Sequence, residues 1–300
     1  MNSKVQSLKT FFGKAGRVAL VEVGATKGST PREAGAFMLV SSSSIFGTIG
    51  GGQLEYMAID KARQMLCSSP RDNGEGEQAR IEVDEVCATL DVPLGPEIGQ
   101  CCGGRVEVSI RLVDGSVEQQ LIANAEAEEA HLPHVYLFGG GHVGQALAAS
   151  LALLPIHVAV VETRADALEG MPETVETRLT PMPEAVVREA PAGSAFAILT
   201  HDHALDFLIV AEALKRGDTA YVGMIGSKTK KATFRNWFLK SAEGSEAEFN
   251  RLISPIGGNA VKDKRPPVIA ALAAAEIMTA LVSRASDTPS AASAEKAMAG

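Results

Sequence analysis

The segment from residue 134 to 162 constrains the fold more than any other part of the sequence. The apolar run HVYLF is followed directly by GGGHVG and the helix-forming run QALAASLALL, so Gly139, Gly141 and Gly144 form a GxGxxG turn between a strand and a helix. Glu162 ends the next apolar run, IHVAVVE. In Rossmann-type domains such a turn brings the backbone close to a pyrophosphate at the positive end of the helix, and the acidic residue accepts hydrogen bonds from a ribose. The alternative is a Rossmann fold whose turn no longer binds a nucleotide.

The rest of the chain separates into two patterns. Strand-like apolar runs alternate with helical segments from residue 134 to 283, which predicts a parallel, doubly wound sheet with a final helix packed back onto it. The N-terminal half instead has strand-like segments at 17–26, 36–40, 78–86 and 105–114, and one amphipathic helix at 53–66. We therefore predict an α/β protein in which a C-terminal Rossmann-type doubly wound parallel sheet follows a smaller N-terminal α+β domain.

Composition sets the expected domain boundaries. The N-terminal domain is predicted to cover residues 1–114, and the acidic, alanine-rich segment 115–133, which ends in a proline, is predicted to be a connecting helix or linker. The Rossmann-type domain then covers residues 134–283. Residues 284–300 carry too little apolar surface to offset the entropy of ordering them, so we expect a mobile tail.

Charge and hydropathy exclude several classes of protein. The net charge of -8 and the isoelectric point near 5.4 argue against a phosphate-neutralising surface, so we expect no nucleic-acid partner. No stretch reaches the roughly 20 apolar residues of a membrane span and the N-terminus lacks the pattern of a signal peptide, so we expect a cytoplasmic protein without membrane contact. The 4 cysteines lack zinc-site spacing, which favours free thiolate chemistry.

Three N-terminal motifs combine glycine with residues that bind anions or metals. GSTPREAG contains Ser29, Pro31 and Arg32, and GTIGGGQLE contains a run of three glycines, Gly50 to Gly52. Their backbone amides can cradle an anion to which Arg32 adds charge, although such motifs are also ordinary tight turns. The third motif is CCGG, residues 101–104, which offers thiols for a soft metal, the alternative being a buried structural cysteine.

Two further motifs follow predicted strands of the C-terminal half. THDHALD presents His201 and Asp202 where open α/β sheets bind their ligands, although a helix N-terminus also favours aspartate simply as a cap. YVGMIGSKTKK presents Gly226, Ser227 and Lys228 at the start of a helix, which is either an anion site or a solvated basic face.

Taken in order, these motifs resemble those of the XdhC/CoxI family. The residues that carry the resemblance are GSTPREAGAFMLV, GTIGGGQLE, GQCCGGRVEV, FGGGHVGQALA, THDHALD, YVGMIGSK and SPIGG, and they extend from about residue 15 to 283. Each motif alone is modest, but seven in sequence leave little room for coincidence.

The resemblance implies a chaperone rather than a metabolic enzyme. Such a protein would bind the molybdenum cofactor (Mo-molybdopterin), shield it while a cysteine desulfurase adds the terminal sulfido ligand, deliver it to the molybdenum-binding subunit of xanthine dehydrogenase, and form a homodimer. From the adjacency of thiols and paired glycines in CCGG, we further expect Cys101 or Cys102 to lie near the molybdenum. The cofactor-binding residues implied are Ser29, Pro31, Arg32, Gly50, Gly51, Gly52, Cys101, Cys102, Gly103, Gly139, Gly141, His142, Gly144, Glu162, His201, Asp202, Gly226, Ser227 and Lys228.

Two other interpretations remain open. An NAD(P)-dependent oxidoreductase is supported by the glycine turn and Glu162, but the N-terminal motifs have no obvious task in hydride transfer and no domain with an evident acid/base pair follows. A protein-interaction scaffold with a degenerate Rossmann fold is the other, and for it Arg32, Cys101 and Gly141 would be dispensable.

Overall fold

A computed structural model of the protein describes residues 4–67, 87–94, 103–258 and 261–287. The chain divides after Ala130 into an N-terminal unit and a C-terminal unit. Each unit has a sheet and apolar cores of its own.

The N-terminal unit is built on a five-stranded antiparallel sheet in the order β3-β2-β1-β5-β4. Its elements are α1 (Lys4–Lys14), β1 (Val18–Lys27), β2 (Phe37–Ser41), β3 (Ile45–Gly47), α2 (Gly52–Cys67), β4 (Cys87–Pro93), β5 (Arg105–Leu112) and α3 (Gly115–Ala130). Val106, Val108 and Ile110 alternate along β5 and are buried against α2. Leu20 and Leu39 point to the opposite face, where α1 and α3 cover them. The segment predicted as a connecting helix or linker therefore forms α3, which packs inside this unit.

The fourth strand of this sheet was not predicted. β4 includes Val92 and Pro93, which the sequence placed in a loop, and only Val92 of its side chains is buried. Among the described residues the strand pairs with β5 alone, at the edge of the sheet. Ala88, Leu90 and Val92 do alternate along it with exposed residues, but Pro93 and the glycine that follows favoured a loop from Val92 onward. The strand predicted at 78–86 lies outside the described residues.

The C-terminal unit is a six-stranded parallel sheet in the order β11-β10-β9-β6-β7-β8. Its elements are β6 (His134–Phe138), α4 (His142–Leu151), β7 (His157–Glu162), β8 (Glu176–Leu179), α5 (Pro183–Glu189), β9 (Ala195–Ile198), α6 (His203–Lys215), β10 (Tyr221–Met224), α7 (Lys228–Lys240), α8 (Glu246–Phe249), β11 (Leu252–Ile253) and α9 (Pro266–Asp287).

Helices cover both faces of this sheet. α5, α6 and α7 pack on one face, and α4 and α9 pack on the other. The chain runs outward from β6 in one direction to β8 and then crosses back to β9 on the other side of β6. In open α/β sheets ligands bind at the carboxyl ends of the strands beside such a reversal. The predicted fold class is confirmed, and the glycine turn follows β6 at that point.

α9 is, among the described helices, the one whose length and composition would suffice to cross a membrane, with a mean hydropathy of 1.6 over Pro266–Arg284. Ala270, Ala273 and Ile277 on this helix are buried in the same core as α4. These residues pack on the sheet of this unit, while 28% of the window is buried. The sequence analysis had found no stretch of membrane-spanning length, and this helix meets that criterion by length and composition.

Candidate functional site

The pairing of β1 with β5 brings two of the N-terminal motifs together. Lys27, which ends β1, lies opposite Arg105, which begins β5. Gly104 therefore lies against the GSTPR turn: a Cβ at this position would be 2.2 Å from the carbonyl oxygen of Ser29 and 2.8 Å from that of Lys27. Only glycine fits here, so the close approach of the two segments depends on it.

The GTIGGGQLE motif lies against the same GSTPR turn. A Cβ on Gly50 would be 2.6 Å from Cγ of Pro31 and 3.7 Å from Cγ of Arg32, and Gly50 has a φ of 126°. The Arg32 side chain is exposed beside this contact. We call the three adjoining segments, Gly28–Arg32, Thr48–Gly52 and Gly103–Gly104, the N-terminal glycine site.

Three backbone amides of the second segment already have acceptors within the chain. Oε2 of Glu55 accepts hydrogen bonds from the amides of Ile49 at 3.2 Å and Gly51 at 3.0 Å, and from the Thr48 hydroxyl at 2.6 Å. The Gly50 amide donates to Thr48 Oγ1 at 3.1 Å. Glu55 was not singled out from the sequence, although an acidic residue in the first turn of a helix is a recognisable signal for this role.

The predicted thiol pair, Cys101 and Cys102, lies outside the described residues. Gly103, which follows in the chain, is exposed and has a φ of 67°. Among the described residues no group of three or more His, Cys, Asp or Glu side chains is arranged to hold a metal ion.

In the C-terminal unit, two glycines of the turn allow close packing. A Cβ on Gly144 would be 2.0 Å from the carbonyl oxygen of Gly139, so α4 could not lie so near the end of β6 with any larger residue. Gly139 has a φ of 113°, and its Cβ would be 2.8 Å from Leu199 O and 3.0 Å from Thr200 N. The turn therefore touches the loop that follows β9, where the THDHALD motif begins.

The middle glycine of the turn differs from these two. Gly141 is the N-cap of α4, with φ −69° and ψ −175°, and no side chain caps this helix. A Cβ here would meet no atom within 4 Å. Gly141 and His142 are both exposed, so the uncapped start of α4 is open to solvent at the carboxyl edge of the sheet.

Glu162 is buried at the end of β7, with 6% of its surface exposed. One oxygen accepts the Gly140 amide at 2.9 Å, and the other accepts the Thr163 amide at 2.8 Å, the Thr163 hydroxyl at 3.1 Å and the Arg164 amide at 3.2 Å. Burial opposes ionisation, but these donors outweigh it and hold the pKa of Glu162 below its ordinary value. The carboxylate is thus ionised and already bonded to the chain.

Comparison with known sequences identifies both units. The family model described as the XdhC Rossmann domain matches residues 135–277, and the model described as the XdhC and CoxI family matches residues 13–72. The chain belongs to the XdhC/CoxI family. The resemblance stated from the sequence motifs is confirmed.

This XdhC/CoxI family member is similar to a known sequence and to a solved structure. It is 28% identical over 270 residues to YqeB of Escherichia coli, an uncharacterized protein; the match covers 87% of this chain and 43% of the relative, so the chain spans less than half of YqeB. A crystal structure from Bacillus halodurans described as a xanthine dehydrogenase matches with a TM-score of 0.74 and 17% identity, over 94% of this chain and 97% of that one. At that identity the match establishes a shared fold.

The remaining motif residues of this family member lie at the same edge as its glycine turn. Asp202 caps α6 by accepting two backbone amides, at 2.8 and 3.3 Å, and Ser227 caps α7 by accepting one at 3.2 Å. His201 and Lys228 are exposed beside these caps. Because β9 lies between β6 and β10, the three loops that follow these strands adjoin. We call them the carboxyl-edge loops.

Proposed function

We propose that this protein is an accessory protein for enzyme maturation that binds the molybdenum cofactor, supports its sulfuration and delivers it to xanthine dehydrogenase. Membership in the XdhC/CoxI family supports the maturation role, and with it a carrier rather than a catalyst. The observation that carries the proposal is the N-terminal glycine site, where three motifs far apart in sequence lie against one another.

The chemistry of this site suits a phosphate-bearing cargo that contains a metal. Arg32 is exposed at its surface and offers a planar, always charged partner for a phosphate. The amides of Ile49 and Gly51 are held by Glu55, so an anion would use Arg32 first and these amides only by displacing that carboxylate. Gly103 belongs to the site, and the two cysteines immediately precede it in the sequence.

The carboxyl-edge loops supply a second set of groups for an anion. The first amides of α4 are free of a side-chain cap, and His201 and Lys228 are exposed on the adjoining loops. We infer that this edge binds another phosphate-bearing part of the cargo or of the partner that receives it.

The state of Glu162 disfavours the competing interpretation as an NAD(P)-dependent oxidoreductase. In that class the acidic residue after the second strand must accept ribose hydroxyls. Here both oxygens of Glu162 accept hydrogen bonds from the chain, and the residue is 6% exposed. A ribose would therefore have to compete with backbone donors for a buried carboxylate.

The deciding experiment measures cargo directly. The purified protein is mixed anaerobically with molybdenum cofactor and desalted, and molybdenum and pterin are measured per chain, with an NAD(H) titration of the same preparation. We expect near-stoichiometric retention in the wild type, loss in Arg32→Ala, and retention in Arg111→Ala, a partly exposed arginine elsewhere in the same unit. Binding of NAD(H) without retention of molybdenum would overturn the proposal.

The thiols have a test of their own. We expect a Cys101→Ala, Cys102→Ala double variant to lose cofactor, and Cys67→Ala, which removes an exposed free thiol of α2, to retain it. Retention by both variants would remove the cysteines from the proposal and leave the role of Arg32 standing.

Delivery is tested with the partners. Loaded protein is added to cofactor-free xanthine dehydrogenase, with and without a cysteine desulfurase, and enzyme activity is followed. We expect activity that depends on both the loaded protein and the desulfurase, and a homodimeric carrier by light scattering. Equal activation by free cofactor would argue against a carrier.

A further inference from the structure

Beneath the carboxyl-edge loops lies a buried ion pair that no proposed contact with cargo uses. Lys230, in the first turn of α7, donates from Nζ to Oδ2 of Asp206, in the first turn of α6. The Asp206 side chain is 0% exposed and that of Lys230 is 7% exposed. Removing both charges from water is costly, and an apolar pair of similar volume is commonly as stable or more so. Stability alone therefore does not explain why this ion pair is present.

The remaining hydrogen bonds of the pair all go to loop residues. Oδ1 of Asp206 accepts the hydroxyl of Thr200 at 2.6 Å and its amide at 3.2 Å. Nζ of Lys230 also donates to the carbonyl oxygen of Ile225 at 3.1 Å. Thr200 and Ile225 lie just beyond the ends of β9 and β10. One buried ion pair thus connects the loop segments that follow two neighbouring strands, β9 and β10.

The aliphatic part of the Lys230 side chain also shapes the loop between β10 and α7. It passes under Gly226, where a Cβ would be 2.7 Å from Cδ of the lysine, and Gly226 has a φ of 158°. A larger residue at Gly226 would therefore have to displace the buried lysine side chain. The residues that face solvent on the two loops, among them His201 and Lys228, are presented above this fixed base.

We infer that Asp206 and Lys230 are positioning residues, which hold the β9–α6 and β10–α7 loops in one arrangement so that both act on a single phosphate-bearing ligand. Neither residue touches the ligand. The inference rests on the proposed function for the identity of the ligand, but the fixing of the loops can be measured without it. Preorganisation of this kind increases affinity because the loops are not ordered at the moment of binding.

The test replaces both charges at once, with Asp206→Leu and Lys230→Met in the full-length chain. We expect a melting temperature at or above that of the wild type, faster amide exchange confined to residues 199–203 and 225–228, and binding of inorganic pyrophosphate weakened about tenfold by calorimetry. The matched control is the exposed pair Arg188–Glu212, replaced as Arg188→Met and Glu212→Leu, which should change none of these. Thr200→Val is a milder second variant and should loosen the β9–α6 loop only.

Each outcome bears on the inference. Wild-type exchange in both loops, or wild-type pyrophosphate affinity in a variant with loosened loops, would overturn it. A lower melting temperature with faster exchange throughout the unit would make the pair merely structural and also overturn it. If the wild type retains neither pyrophosphate nor molybdenum cofactor, the proposed function fails, and exchange in the two loops alone decides whether the pair fixes them.

Discussion

The two glycine turns of this protein are alike in sequence and differ in what holds their amides. GTIGGG precedes α2 and FGGGHVG precedes α4, and both offer unhindered backbone at the start of a helix. Before α2, a single carboxylate oxygen of Glu55 accepts two amides and a hydroxyl. Before α4, the helix has no side-chain cap, and the amide of the glycine turn that Glu162 accepts is that of Gly140, which precedes the helix.

The difference teaches that a glycine-rich turn is an available anion site only where the chain does not supply the anion itself. At α2 the protein's own carboxylate neutralises the positive end of the helix, whereas at α4 the first-turn amides remain available to a ligand. The following variants test this contrast, in order of decreasing effect on stability.

Gly144→Ala should have the largest effect. The added methyl would lie 2.0 Å from the carbonyl oxygen of Gly139, so α4 must move away from β6 or the turn must distort. We expect the free energy of unfolding to fall by about 3 kcal/mol, measured by urea denaturation. Gly115→Ala is the control, because a Cβ there meets nothing within 4 Å. A wild-type midpoint for Gly144→Ala would mean that packing does not fix the shape of this turn.

Glu55→Ala should make the glycine turn before α2 resemble the one before α4, with amides that an external anion can bind. Loss of the carboxylate leaves the Ile49 and Gly51 amides without their acceptor, which should lower the free energy of unfolding by about 1–3 kcal/mol. Inorganic phosphate at constant ionic strength should then raise the melting temperature of the variant more than that of the wild type. Asp60→Ala, an exposed carboxylate of α2, serves as the control. Equal effects of phosphate on both proteins would break the contrast.

The sequence predicted the C-terminal unit well because its signals are local. A strand, a glycine turn, a helix and an acidic residue at the end of the next strand all fall within 29 residues, from His134 to Glu162, and each can be identified from its neighbours. The edge strand β4 was not predicted although Ala88, Leu90 and Val92 alternate along it, because Pro93 and the glycine that follows favoured a loop from Val92 onward. Membership in the family followed from motifs rather than from periodicity.

The arrangement of the site depended on tertiary contacts that no local pattern carries. The packing of Gly104 on Ser29 follows from the register of β1 with β5, and Gly50 on Pro31 from the path of a turn. Asp206 and Lys230 are 24 residues apart and meet only because α6 and α7 begin at the same edge of the sheet. Glu55 is the exception, since its place in the first turn of α2 was readable.

Glu162→Gln should give a smaller loss that depends on pH. Because donors lower the pKa of Glu162 in the folded protein, its stabilisation is present above the ordinary value of 4.5 and is lost as the pH falls through the folded-state pKa. We expect Glu162→Gln to cost about 1–2 kcal/mol at neutral pH and progressively less in acid, by urea denaturation at a series of pH values. Glu169→Gln, an exposed neighbour, should show no such convergence. A deficit independent of pH would mean that Glu162 acts through its shape rather than its charge.

Gly141→Ala should have the smallest effect on stability and the clearest effect on binding. Its φ is negative and a Cβ meets nothing within 4 Å, so the free energy of unfolding should change by less than about 1 kcal/mol, the scale of an N-cap preference. A ligand that approaches the first amides of α4 would meet the new methyl group, so retention of molybdenum and pterin after desalting should fall. If the variant is as stable as the wild type and retains as much cofactor, the open helix end at α4 is not a contact for the cargo. The contrast between the two turns would then concern helix capping alone, and cargo binding would be left to Arg32 and the N-terminal glycine site.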